Sequence, residues 1–184
     1  MKRSRISFLA GSAIVSLLLA PAFGQGPTVT GDTYLQSGTN ASQNFGALAN
    51  ILVGPGTGAT QNRGLVRFDL SGLSGVASGD VQKGVLWLYV NRVTTAGSID
   101  VYDVTSAWSE NTATWNSPPT VGAIQGTIPV SVAGQWVGLD ITAELKTWLA
   151  TPSLNQGLSL QAFTAPTTAV TDMGGRNSHT WKRR

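Results

Sequence analysis

Short runs of alternating apolar and polar residues, separated by turn-forming residues, constrain the fold of this chain more than any other feature. Clusters of Gly, Pro, Asn and Ser lie between these runs. A period of two is typical of half-buried β-strands. The runs predict strands at 33–35, 51–53, 65–70, 85–91, 99–104, 128–132, 136–141 and 158–163. Many short strands at this spacing predict an all-β fold, a jelly-roll β-sandwich.

One segment departs from the period of two. Apolar side chains recur there at helical spacing, at Ile141, Leu145, Trp148 and Leu149. Asp140 or Thr142 can cap the start of a helix, and Pro152 can end it. We therefore expect one short helix that lies against a sheet or closes one end of the sandwich.

The N-terminal residues have the pattern of a secretory signal peptide. Basic residues come first, an apolar run follows at 6–20, and small residues stand at Ala22 and Gly24. We expect residues 1–24 to be removed and the protein to be secreted and extracellular. Because the apolar run is short and no second stretch resembles it, we expect no membrane span. The folded domain is then predicted at 25–170.

Composition excludes several classes of function. All 9 acidic residues lie between 25 and 175 with only 5 of the 12 basic ones, so this body has a net charge of −4. The basic residues concentrate at the two ends, which argues against a nucleic-acid-binding surface. The chain has no Cys and 1 His, which excludes disulfides, thiolate zinc sites and multi-histidine metal centres.

An ordered set of motifs carries a family resemblance. In chain order they are residues 32–34 (Asp-Thr-Tyr), 44–46 (Asn-Phe-Gly), 67–71 (Arg-Phe-Asp-Leu-Ser), 86–89 (Leu-Trp-Leu-Tyr), 108–119 (Trp-Ser-Glu-Asn-Thr-Ala-Thr-Trp-Asn-Ser-Pro-Pro), 140–142 (Asp-Ile-Thr) and 155–158 (Asn-Gln-Gly-Leu). Together they resemble the DNRLRE domain, part of which is classified as carbohydrate-binding module family 96. The resemblance implies a secreted β jelly roll without catalytic activity. It also implies an extracellular polysaccharide as partner, since some members bind alginate-like uronic-acid polymers.

The last residues depart from that family. The Ser-Lys-Glu or Ser-Arg-Glu element of a final strand is missing, and no alternation of apolar residues follows Val170. We expect residues 171–184 to form an atypical basic tail and not a native strand. The sequence leaves open whether this tail reflects a truncation, a frame shift or a natural polar end. A missing or short last strand would expose a sheet edge.

The candidate ligand-binding residues lie between positions 63 and 92. Alternation in 85–91 turns Trp87 and Tyr89 away from the predicted core, where an aromatic ring can stack on a sugar. Four cations lie on the same two strands or at their ends, at Arg63, Arg67, Lys83 and Arg92. If the strands are neighbours or face one groove, these residues form a cationic stripe suited to uronate carboxylates. Alternatively, both sheet faces are covered and the charges are unrelated strand-end residues.

The remaining candidates have structural interpretations. Trp108, Trp115, Trp136 and Trp148 are expected in the core. Glu110 is expected to accept backbone N–H groups and fix its loop, so we predict no catalytic residue. We predict no cofactor. A structural calcium ion is an alternative that the sequence leaves open, since jelly-roll modules often hold one, but the chain has no Asp-rich loop that would predict it. The leading hypothesis is a secreted, noncatalytic module for an acidic polysaccharide; the alternative is a structural or adhesive surface domain, with a protein partner and no small ligand.

Overall fold

The fold consists of nine strands, one α-helix and four short 3-10 helices within the residues that the computed structural model describes, 26–162 and the backbone of 169–172. The elements are β1 Thr28–Gln36, β2 Asn50–Pro55, β3 Gln61–Asp69, β4 Val85–Val93, β5 Gly97–Val104, β6 Val121–Val130, β7 Gln135–Asp140, α1 Thr142–Ala150, β8 Leu158–Gln161 and β9 Ala169–Asp172. Each of the eight predicted strands overlaps an observed one. Among these described elements, none is a helix long and apolar enough to cross a membrane.

The strands form two antiparallel sheets. Sheet A has the order β1–β3–β8–β5–β6, and sheet B has the order β2–β9–β4–β7. The pairs Gly54–Asn62 and Pro55–Gln61 between β2 and β3 connect the two sheets. Except between β5 and β6, consecutive strands lie in different sheets. The predicted all-β sandwich with a single short helix is confirmed.

The main core lies between the inner faces of the two sheets. Sheet A contributes Val66 and Ile99, and sheet B contributes Leu88 and Val90, all of them fully buried. Trp148 of α1 closes one end of this core and is 1% exposed, with its ring 6.2 Å from that of Phe68. Burial of such large side chains supplies most of the stabilisation of a sandwich. The helix therefore covers one end of the sandwich, which is one of the two arrangements that the sequence leaves open.

Strand β9 is the element that the sequence pattern does not reveal. It lies between β2 and β4, with Thr171 opposite Ile51 on one side and opposite Val90 on the other. Thr171 and Asp172 therefore belong to a strand, which differs from the expectation that no residue after 170 forms one. Pairing on both sides satisfies the backbone groups of this short strand, so a strong apolar alternation is not needed. Residues 1–24 and 173–184 lie outside the described residues.

Candidate functional site

Strand β4 presents aromatic side chains on the outer face of sheet B. Leu86 and Leu88 point into the core and are at most 2% exposed. The alternating positions Trp87 and Tyr89 point outward, and Trp87 is 36% exposed while Tyr89 is half-buried. The predicted inward and outward sets of this strand are confirmed.

Strand β7 adds a second exposed tryptophan to the same face. In the β4–β7 ladder, Tyr89 lies opposite Trp136, and their ring centroids are 5.3 Å apart with planes at 58°. Trp136 is 46% exposed, so its assignment to the core is wrong. The inner positions of β7 are Val137 and Leu139, which pack against the core and turn Trp136 outward. We call Trp87, Tyr89 and Trp136 the aromatic face.

Gly138 determines how Trp87 lies on the sheet. It is the cross-strand partner of Trp87, and a Cβ at this position would come within 3.0 Å of Cε3 and Cζ3 of the indole. The same Cβ would lie 3.2 Å from Cγ1 of Val85. The indole therefore lies toward β7, over a backbone position that carries no side chain. An aromatic ring that covers a glycine in a neighbouring strand also stabilises the sheet.

Two basic residues stand at the two ends of the aromatic face. Lys83 precedes β4, and its Nζ lies 3.9 Å from Oδ2 of Asp140. Arg92 is exposed near the other end of β4, where a register shift separates it from Val90. Since Val93 packs against the core, its neighbour Arg92 points away from it. Lys83, Trp87, Tyr89 and Arg92, four of the six predicted binding residues, thus lie along one side of the molecule.

Arg63 and Arg67 lie on the opposite side, on the outer face of sheet A. Arg67 donates from Nη1 to the carbonyl oxygen of Trp108 at 2.9 Å, and its Cζ is 5.3 Å from the centre of that indole. Cζ of Arg63 lies 5.3 Å from the centre of the Trp115 ring. Burial lowers the pKa of Arg63, and the charge of Tyr102 opposes this effect. Because β3 and β4 belong to different sheets, the six predicted binding residues do not form a single cationic stripe. Ligand binding by Arg63 and Arg67 stays a prediction.

The segment between β5 and β6, residues 105–120, covers the outer face of sheet A. Trp108 is 9% exposed, packs with Leu35 and Leu65, and donates from Nε1 to the carbonyl oxygen of Gln156 at 2.8 Å. Trp115 is half-buried against the same cluster. The expected core positions of Trp108 and Trp148 are confirmed, and Trp115 packs at the margin of this smaller core. We call residues 105–120 the covering segment.

Glu110 fixes the covering segment to the rest of the fold. Its Oε1 accepts from the backbone N–H of Asp32 at 3.4 Å, and its carbonyl oxygen accepts from Nδ2 of Asn44 at 2.7 Å. A side chain at Gly46 would lie 2.3 Å from that carbonyl oxygen, so the chain passes too close for any other residue. These contacts agree with the structural role that the sequence assigns to Glu110.

Local contacts explain the shifted pKa values of three carboxyl groups. Hydrogen bonds from the side chain and backbone of Ser71 lower the pKa of Asp69, and those of Thr142 lower the pKa of Asp140. Burial raises the pKa of Glu144, and the charge of Asp103 raises it further, against the opposing effect of the Trp148 indole. Within the described residues, no group of three or more His, Cys, Asp or Glu could hold a metal ion.

An exposed aromatic face on a two-sheet β-sandwich is typical of domains that bind sugars, because aromatic rings stack on the apolar faces of pyranoses. The model of carbohydrate-binding module family 96 matches residues 26–173 of the chain. The protein therefore belongs to this family and is a carbohydrate-binding module. No curated protein matches its sequence.

Proposed function

We propose that the protein is a secreted, noncatalytic module that binds an acidic, uronate-containing polysaccharide through the aromatic face. The observation that carries the proposal is the pair of exposed tryptophans, Trp87 at 36% and Trp136 at 46%, on adjacent strands of one sheet face. A monomeric protein seldom exposes two such rings side by side unless the surface binds something.

The aromatic face has the extent of a short oligosaccharide. Trp87 and Trp136 are diagonal neighbours in the β4–β7 ladder, about 7–8 Å apart at the backbone. From Lys83 to Arg92 the face extends over nine residue steps, roughly 30 Å. A polysaccharide chain that lies along β4 would stack on the rings and meet a cation at each end.

The distribution of charge favours an acidic ligand at the two ends of the aromatic face, where Lys83 and Arg92 lie. The body of the chain carries a net charge of −4, which repels a polyanion, so any attraction has to come from local cations. Arg92 offers a guanidinium fork that fits a carboxylate with two parallel hydrogen bonds. Lys83 offers a second cation at the other end of the face, where its Nζ lies 3.9 Å from Oδ2 of Asp140.

The noncatalytic role and the secretion of the protein, which are also part of the proposal, rest on other features. Asp69 and Asp140 accept hydrogen bonds from the residue two positions later, and Glu110 fixes a loop, so these acids have structural roles that account for them. Such roles support a noncatalytic module, as in carbohydrate-binding families in general. The signal-peptide pattern of residues 1–24 supports secretion.

Affinity electrophoresis tests the ligand. The protein should be retarded in gels that contain alginate and much less in gels that contain a neutral glucan. Raising the salt from 0.1 M to 1 M should reduce the alginate effect, because the Debye length falls from about 10 Å to about 3 Å. Preference for the neutral glucan would refute the uronate specificity, and no retardation in any polysaccharide would favour the structural or adhesive alternative.

Substitutions locate the binding surface in the same gels. Trp87→Ala and Trp136→Ala should each remove most of the retardation, since stacking on an aromatic ring contributes much of the binding energy of a sugar. Trp115→Ala, on the other side of the sandwich, is the matched control and should leave retardation unchanged. Loss of binding in Trp115→Ala with a folded protein, and not in the other two, would move the site to sheet A.

A further inference from the structure

The ion pair between Lys83 and Asp140 lies directly beside the stacking position of Trp87. Asp140 is the cross-strand partner of Val85, and Gly138 is the partner of Trp87, so the two rows are one same-face step apart, about 7 Å. A Cβ at Gly138 would lie 3.0 Å from the Trp87 indole and 3.2 Å from Cγ1 of Val85, so the edge of the indole and the side chain of Val85 both lie close to this position. A sugar ring stacked on Trp87 would therefore reach the ammonium group of Lys83, while Arg92 is five residues away along β4, roughly 17 Å.

Asp140 does not need Lys83 as a partner. Its Oδ1 accepts from the backbone N–H of Thr142 at 2.9 Å and also from the Thr142 hydroxyl. Lys83 approaches the other oxygen, Oδ2, at 3.9 Å, and the two side chains are 62% and 58% exposed. An exposed ion pair at this distance contributes little to stability. The carboxylate thus stays hydrogen-bonded if the lysine moves away.

The geometry points to a uronate subsite, and this inference rests on the proposed function. The subsite is formed by Trp87, Gly138, Lys83 and Asp140. When the polysaccharide binds, Lys83 leaves Asp140 and pairs with a carboxylate of the ligand. Asp140 is then the specificity-determining residue of the subsite. It holds the ammonium group next to the stacking ring, and it also competes with the ligand for that group. Its negative charge repels the ligand carboxylate, so it limits the affinity for polyanions.

If this exchange occurs, substitutions of Lys83 and of Asp140 should change the affinity for alginate in opposite directions. Lys83→Gln should weaken alginate binding about threefold or more, because the cation that meets the carboxylate is lost. Asp140→Asn should strengthen alginate binding about threefold, because the competitor is neutral while its amide oxygen still accepts from Thr142. Retardation in a neutral glucan gel should change little in either variant. A pair that served only the fold would give losses of the same sign.

Matched substitutions on other surfaces control for net charge. Lys146→Gln makes the same charge change as Lys83→Gln, at a residue of α1 and not of the two strands that carry the aromatic face. Asp69→Asn matches Asp140→Asn closely, since Asp69 accepts from both the backbone N–H and the hydroxyl of Ser71. It lies at the end of β3 in sheet A, and within the described part of the chain it makes no ion pair. Both controls should bind alginate like the parent, and thermal melts should show all four variants folded.

The outcomes separate this inference from the proposed function. If the parent is not retarded by alginate, the proposed function fails and the subsite fails with it. If the parent binds and Lys83→Gln has no effect, or if both variants of the ion pair weaken binding, the exchange is wrong while the module still binds acidic polysaccharide. If the controls reproduce the effects, net charge alone explains them, and the subsite is also overturned.

Discussion

The outer faces of the two sheets carry similar residues and differ in what covers them. On sheet A, Trp108 and Trp115 lie against Arg67 and Arg63 within a packed layer that the covering segment supplies. On sheet B, Trp87 has no such layer over it and remains 36% exposed within the described chain. Tryptophan beside arginine is therefore not in itself evidence of a binding site. The covered face uses these residues for stability, and the open face leaves its rings accessible to a ligand.

The largest expected effect is on the covered face. Trp108→Ala should lower the free energy of unfolding by about 3–5 kcal/mol, because it removes a buried ring and its hydrogen bond to Gln156. Trp87→Ala should cost about 1 kcal/mol, the contribution of a cross-strand contact. Chemical denaturation of both variants measures the difference. Equal losses would mean that the two faces are packed alike, and the comparison would fail.

The arginines should differ in the same direction. Arg67→Gln should cost about 1.5–3 kcal/mol, since a charged hydrogen bond to the Trp108 carbonyl oxygen is lost. Arg92→Gln, on an exposed position, should change stability by no more than about 0.5 kcal/mol. Thermal melts give both values, and alginate gels should show the reverse order, with weaker binding only in Arg92→Gln. A binding loss in a folded Arg67→Gln protein would assign a ligand to the covered face.

Substitutions of two glycines, one beside Trp87 and one beside Trp108, test the same difference between the two faces. Gly138→Ala should shift the Trp87 ring, because the new methyl group would lie 3.0 Å from it, and alginate binding should fall severalfold while stability changes by less than about 1 kcal/mol. Gly31→Ala is the matched variant under Trp108, where the new methyl group finds an ordinary contact at 3.6 Å. It should bind alginate like the parent. Unchanged binding in Gly138→Ala would show that the orientation of Trp87 is unimportant.

The smallest effect concerns pH. The pKa values of Asp69 and Asp140 are lowered in the folded state, so each carboxylate stabilises the fold above its unfolded pKa, and this contribution is lost as the pH falls through the folded pKa. Asn variants of both should therefore melt slightly below the parent at pH 7, and the difference should vanish in strong acid. Melts from pH 2 to pH 7 measure it. A difference that persists at pH 2 would contradict this explanation.

Alternation in the sequence predicts which side chains of a strand face the core but not which sheet the strand joins. The pattern of β4 places Leu86 and Leu88 inside and Trp87 outside, as observed. The same logic turns Arg67 outward from β3. However, β3 and β4 are consecutive in the chain and lie in opposite sheets. The outward side chains of β3 and those of β4 therefore lie on opposite sides of the molecule. A long-range pairing decides this, and local periodicity contains no information about it.

The error at Trp136 had a local signal. Val137 and Leu139 alternate with Trp136, so the alternation rule that places Trp87 outside also places Trp136 outside. The core assignment of Trp136 follows instead from the general expectation that large aromatic residues are buried. Strand β9 had no comparable signal, since its four residues depend on β2 and β4 for their pairing. The position and the end of helix α1 are predictable, because its apolar spacing and Pro152 are local features; its N-cap residue is Ile141 and not Asp140 or Thr142.

The position of β9 also has a consequence for biosynthesis. Strands β2 and β4 are translated long before residues 169–172, and each keeps one unpaired edge until β9 inserts between them. Pairing between strands about 80 and about 120 residues apart in the chain is slow, and open strand edges in a nascent chain invite association with other chains. If the protein is exported in an unfolded state, as the proposed secretion implies, sheet B can assemble only after the whole chain is present, which shortens the time that its open strand edges can meet other chains.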